Sequence, residues 1–212
     1  QFDSLALSII KSIKNASPLQ AECFTKLQSG GTQLTPIYLQ NQVVSNVPKT
    51  DLISLGASVK ISVKKKGAQF ISAQGNEAAA VFLSVLKNDS EAKNKLGDII
   101  KDYFKYEKGL SHLKNLAPDE KKKVKIKRQF LLKRILNFGG LDLKEKIMRE
   151  AILGEYKFTD VNSIPNYFLV WSEDGSGALY TADQFIRNNI SKVKFGVRGR
   201  GGTRGLSLRG EI

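Results

Sequence analysis

The chain reads as an α/β protein, and three features of its sequence carry that reading. Ser58-Val59-Lys60-Ile61-Ser62-Val63-Lys64 alternates apolar and polar residues without a break, the period-two pattern of a strand. Phe2, Leu5, Ile9, Ile10 and Ile13 recur at helical spacing, as do Leu131, Ile135 and Phe138 far downstream. Tyr167 to Trp171 is a short aromatic and aliphatic run that reads as a further strand.

Taken in order, residues from about 3 to 14 are predicted as an amphipathic helix that stops before Ser17-Pro18, and Leu19 to Gln28 as a second helix. Ser29-Gly30-Gly31-Thr32 is turn chemistry, and the β-branched and aromatic residues of Leu34 to Val44 predict an extended segment. Asp51 to Leu55 and Ser58 to Lys64 read as two strands joined by a turn at Gly56-Ala57, with Lys60, Ser62 and Lys64 on one face. Gln69-Phe70-Ile71 adds a short strand, and Glu77 to Leu86 a helix with Ala79, Val81, Phe82 and Val85 available for packing. Ser90 to Leu153 is predicted mostly helical. One segment ends near Tyr106, a second begins with Pro118-Asp119-Glu120, where proline and acids suit a first turn, and a third begins at Asp142 and ends at Gly154. Asp174-Gly175-Ser176-Gly177 is a turn and Thr181 to Asn189 a short helix. Lys192 to Arg198 and Gly205 to Arg209 form a hairpin around Gly199-Arg200-Gly201-Gly202-Thr203. Without repeats or a low-complexity linker, a single domain over 1–212 is the simplest account: a core over about 18–87, a basic helical segment over about 90–153, and a strand and hairpin region over about 155–212.

Charge narrows the class of partner. The chain has 34 Lys and Arg against 20 Asp and Glu, a formal net charge of +14, which draws polyanions. Eight cations (Lys121, Lys122, Lys123, Lys125, Lys127, Arg128, Lys133 and Arg134) fall between positions 121 and 134 with no acid among them. In the tail, Lys192, Lys194, Arg198, Arg200, Arg204 and Arg209 face only Glu211. Two separated basic segments predict a surface that grips phosphates in more than one place, with salt-dependent affinity. Cys23 is the single cysteine, so no internal disulfide forms, and a reducing, cytoplasmic setting is expected. No apolar run approaches the roughly 20 residues of a membrane helix, and the amino terminus lacks the plan of a signal peptide. Gln1 in place of Met is what removal of an initiator, propeptide or leader would leave.

Residue types then exclude several chemistries. One histidine, His112, cannot make a two-histidine metal site, and its surroundings hold no nucleophile–base pair. Cys23 has no CxxC partner for zinc, and no GxxxxGK[ST] loop is present for a nucleotide cofactor. Carboxylate and lysine chemistry is left, which suits phosphodiester cleavage with Mg²⁺ on oxygen ligands.

Pro48-Lys49-Thr50-Asp51 places an acid at the start of an apolar strand, and Ser62-Val63-Lys64 follows on the next strand. This arrangement resembles the signature of the PD-(D/E)xK nuclease superfamily, over roughly residues 18 to 87. The resemblance implies a restriction-endonuclease-like mixed central sheet flanked by helices, and an Mg²⁺-dependent DNA endonuclease of restriction, homing or phage type; a homodimer is the candidate assembly. It also implies that Asp51 is the metal-binding acid and Lys64 the lysine that orients the attacking water. Ser62 departs from the pattern, standing where Asp or Glu is usual. The Val63 carbonyl would still face the metal, and Glu22, in the predicted helix before the sheet, would supply the second carboxylate. Glu77 and Gln74 are further contacts for metal, water or phosphate. Lys121, Lys122, Lys123, Lys125, Lys127 and Arg128, with Arg198, Arg200, Arg204 and Arg209, would hold flanking phosphates, and Arg198, Arg200 and Arg204 are candidates for base contacts in a groove. Two alternatives stay open: a nucleic-acid-binding protein, such as a phage structural or packaging component, that keeps the fold without catalysis, for which Ser62 speaks; and an RNA-binding module, for which the Gly-Arg tail speaks.

Overall fold

The computed structural model describes residues 9, 11–12, 24–26, 32–108, 115–138, 140–198 and 205–211 of the chain. The described strands, in chain order, are β1 (Phe24–Lys26), β2 (Leu52–Ser54), β3 (Lys60–Lys65), β4 (Gln69–Gln74), β5 (Tyr167–Trp171), β6 (Gly177–Thr181), β7 (Lys194–Arg198) and β8 (Gly205–Glu211). The α-helices are α1 (Pro36–Gln40), α2 (Asn76–Ser84), α3 (Ser90–Lys108), α4 (Pro118–Asn137), α5 (Gly140–Leu153) and α6 (Ala182–Asn189).

A five-stranded sheet runs in the order β1-β2-β3-β5-β6. The β1–β2, β2–β3 and β5–β6 pairs are antiparallel, and β3 and β5 run parallel, with Ser62 opposite Phe168 and Lys64 opposite Val170. The sheet is therefore mixed. A parallel pair needs a long crossover, and here the chain between β3 and β5 contains β4 and helices α2 to α5. Beyond β5, a turn closed by the Asp174 carboxylate on Ser176 returns the chain as β6, and Thr181 starts α6 with a reciprocal capping box to Gln184.

Alternation on β3 and β5 sends side chains to two different cores. Ile61 and Leu169 join Val59 in a small cluster, with Ile9, Val63 and Trp171 packed against it. Phe168, with Val170 beside it, belongs to the large cluster built from Tyr38, Phe70, Phe82, Leu96, Ile147, Ile152 and Phe185. Phe168 stacks on Phe185 of α6 with ring centroids 4.1 Å apart. Ser62 and Lys64 alternate with the residues of the small cluster, so β3 turns them toward the large, helix-covered side. On the opposite side, the buried hydroxyl of Ser12 donates to the Gly175 carbonyl at 3.0 Å, and Gly177 admits this contact because a Cβ there would lie 2.8 Å from that of Ser12.

Several expectations need correction. Phe24–Lys26, expected inside a helix, is strand β1, held by pairing with β2 rather than by any local pattern. Leu34 to Val44, expected extended, contains α1: Thr35 and Pro36 supply its N-cap and first-turn positions, and the apolar content serves to bury Tyr38. Strand β6 overlaps the expected turn and helix start and is stabilised by its register on β5. Strands β5 and β6, from beyond α5, complete the sheet that β1 to β3 begin. Strand β4 is longer than expected and leaves the central sheet to pair with β8, giving a second sheet in the order β4-β8-β7 that incorporates the expected tail hairpin.

Candidate functional site

Asp51 sits at the start of β2. Its backbone N–H donates to the Ile61 carbonyl at 2.8 Å, extending the β2–β3 pairing by one bond. Beyond that point the pairing ends and its carboxylate takes over: Oδ2 accepts from the Val63 N–H at 2.7 Å and from the Ser62 hydroxyl at 3.2 Å. The sequence-predicted trio Asp51, Ser62 and Val63 is thus brought together. Ser62 is buried and serves as a donor that fixes the carboxylate, a role an acid there would fill only when protonated. Among the described residues no hydrogen bond reaches Asp51 Oδ1, and the residue is exposed, so this oxygen is open to a ligand.

Lys64 lies next along the same face of β3. Burial holds its ammonium below the usual lysine range, and the Asp51 carboxylate pulls in the other direction. Lys49 lies close by. Burial pushes its ammonium down to about 8, the cations of Lys157 and Lys64 act in the same sense, and the carboxylates of Glu77 and Glu150 oppose them. The backbone N–H groups of Lys49 and Thr50 both donate to the Ser163 carbonyl, at 3.0 and 3.2 Å, which fixes the approach to Asp51.

Lys49 connects the sheet end to a second polar cluster. Glu77, in the first turn of α2, accepts from Lys157 Nζ at 2.6 Å, and that lysine side chain is only 3% exposed. Behind it, the buried Glu150 of α5 accepts from the Tyr38 hydroxyl at 2.6 Å and from the Tyr156 N–H at 2.8 Å. Burial pushes Glu150 up to about 7 and raises the Tyr38 phenol as well. The expected contact residue Glu77 therefore lies electrostatically near the lysines, but its carboxylate is engaged by Lys157.

Lys49, Lys157, Glu150 and Tyr38 were not singled out from the sequence. Lys49 had a signal, its place two residues before Asp51 in the quoted motif. Lys157 had none, because its partner Glu77 is 80 positions away.

Glu22, His112, Cys23, Arg200 and Arg204 lie outside the described residues. Gln74 ends β4, and Arg128, Arg198 and Arg209 are placed by their backbone alone, on α4, at the end of β7 and on β8. Lys121, Lys122, Lys123, Lys125 and Lys127 are exposed on α4, the 20-residue basic helix begun by Pro118.

Among the described residues no group of three or more His, Cys, Asp or Glu side chains is arranged to hold a metal ion. Mg²⁺ does not require one: it keeps most of its waters and takes one or two carboxylates together with substrate phosphate oxygens. The exposed Asp51 carboxylate, just ahead of β2 and held on Ser62 and Val63 of β3, fits that role. No described helix is long and apolar enough to cross a membrane. Compared with protein-family models, with curated proteins and with solved structures, the chain gives no significant match.

Proposed function

We propose that the protein is an Mg²⁺-dependent endonuclease that hydrolyses DNA phosphodiester bonds, of the PD-(D/E)xK type. The observation that supports this reading is the Asp51 carboxylate, anchored on the Ser62 hydroxyl and Val63 N–H while one oxygen stays open, with the depressed Lys64 next along the strand. Asp51 and the Val63 carbonyl would hold the ion, with Glu22 as the second carboxylate. Bound there, Mg²⁺ supplies charge that polarises the scissile phosphate and acidifies a coordinated water. Lys64 donates a hydrogen bond to the attacking water and keeps it in line. Lys49 and Lys64 draw the phosphate toward Asp51, and the Glu77–Lys157 pair fixes the first turn of α2 beside them. The basic α4 and the β7–β8 hairpin hold flanking phosphates, which sets register and gives affinity without sequence information.

A second reading has its own observation. Ser62 replaces an acid and Glu77 is engaged by Lys157, so the described residues offer one open carboxylate where a nuclease would use two. On that reading the chain binds nucleic acid without cutting it.

Plasmid and linear DNA incubated with the protein in Mg²⁺, with EDTA as control, separate the two. Cleavage that needs Mg²⁺ and disappears in Asp51→Ala and Lys64→Ala, each with an unchanged circular-dichroism spectrum, is the expected result. Cleavage that survives in either variant refutes the site, and binding without cleavage in any divalent metal leaves the second reading.

A further inference from the structure

Helices α3 and α4 pack side by side and leave an open groove of about 460 Å³ between them, within the range of roughly 300–1,000 Å³ typical of ligand sites. Its lining is mixed: Lys105, Lys127 and Arg134 are cations, Asp102 is the one acid, and Tyr106, Phe130 and Leu131 are apolar. Leu131 is buried and belongs to the core, whereas Phe130 is 61% exposed. Tyr106 forms a wall: its hydroxyl donates to the Val124 carbonyl at 3.4 Å, and the Lys127 ammonium lies over its ring at 4.7 Å from the centroid.

A helix that only cradles the phosphates of a duplex needs cations and nothing apolar on its solvent face. Here Ile126, 58% exposed, and Phe130 stand four residues apart and so occupy one face of α4, with Ile126 inside the run Lys121 to Arg128 and Phe130 between that run and Lys133-Arg134. A single exposed apolar side chain is ordinary, but an aromatic one over a cation-rimmed groove is what a stacking platform for an unpaired base requires. Asp102 fits the same occupant, since it repels phosphate and accepts from the amino or imino groups of a base edge.

We propose that the α3–α4 groove binds single-stranded DNA, with one unpaired base stacked on Phe130 and the flanking phosphates held by Lys105, Lys127 and Arg134. This deepens the nucleic-acid half of the function proposed above and is independent of its chemistry. The substrate class it implies is DNA with an unpaired segment, such as an end, a gap or a branch.

Fluorescence anisotropy in EDTA, with a labelled oligothymidylate and a duplex of the same length, tests it without catalysis. Phe130→Ala should weaken the single strand about tenfold, and Phe130→Trp should restore it, while duplex affinity stays within about twofold. Lys127→Gln with Arg134→Gln should lower the salt dependence of single-strand binding. Because Phe130 is exposed, these changes leave the core intact. Equal losses for both ligands, no loss for either, or self-association that Phe130→Ala abolishes would overturn the proposal; the last would mark the face as a protein interface. A protein that binds in this way but never cuts DNA defeats the nuclease reading and leaves this one standing.

Discussion

Glu77→Gln is the most informative single change to the polar cluster. The carboxylate lies 2.6 Å from the Lys157 ammonium, which is 3% exposed, while the Glu77 side chain keeps 19% exposure. Removing one partner of a fully buried pair costs roughly 3–5 kcal/mol, because the remaining charge is stranded, whereas exposed pairs contribute about 1 kcal/mol or less. The partial opening at Glu77, together with the ability of a Gln oxygen to accept from Lys157, moves the expected loss to about 2–3 kcal/mol. Lys49, which feels both partners, then faces an uncompensated cation and adds to the cost. In urea unfolding followed by circular dichroism, with a slope of about 2 kcal/mol/M, the midpoint should fall by about 1–1.5 M at unchanged slope. Adding Lys157→Met removes the stranded ammonium, so the double variant should regain most of that loss. A midpoint shift below about 0.3 M, or a double variant as unstable as the sum of the singles, would refute the idea that this pair holds the first turn of α2.

Two further outcomes follow from the same geometry. Ser62→Asp places a second carboxylate against Asp51 Oδ2, now 3.2 Å from the serine hydroxyl. It should lower the melting temperature in EDTA and make it rise with added Mg²⁺, and a melting temperature indifferent to Mg²⁺ would remove the metal from the site. The pH dependence of stability has opposite signs on the two sides of neutrality. Glu150, raised from 4.5 to about 7, binds its proton more tightly in the folded chain, so its contribution of roughly 3 kcal/mol is present below the usual carboxylate range and lost as pH rises through about 7. Lys49, lowered from 10.5 to about 8, binds its proton less tightly in the folded chain, so stability returns as pH climbs from about 8 toward 10.5. Urea midpoints should pass through a minimum between about pH 7 and 8; Glu150→Gln should flatten the acid limb and Lys49→Met the alkaline one, and limbs that survive these changes would refute the assignment.

Local pattern was enough wherever an element's own side chains chose its faces. The alternation of Ser58 to Lys64 survives in β3, which sends Ile61 to one core and Ser62 to the other side, and Tyr167 to Trp171 becomes a strand that feeds both cores. The basic helix α4 announced itself through Pro118 and its acids. Pattern failed where a partner decides. β1 has three residues and no period of its own, α1 hides aromatic and β-branched residues behind a Thr-Pro start, and β6 exists through its register with β5. At the site, Asp51, Ser62, Val63 and Lys64 were legible because they lie on two adjacent strands. The Glu77–Lys157 and Tyr38–Glu150 contacts were not, because each joins residues distant in sequence.

The pairing of β4 with β8 bears on how the chain is made. Gln69 to Gln74 emerges from the ribosome well before β8, the strand it bonds to among the described residues. Until then Phe70, Ile71 and Ala73, all buried in the finished molecule, belong to a strand with an unclaimed edge. Translation halted before Gly205, or a protease that cuts ahead of it, would release a chain in which β4 keeps an unpaired, adhesive border. Aggregation of such products, rather than a soluble fragment, is what this late closure entails.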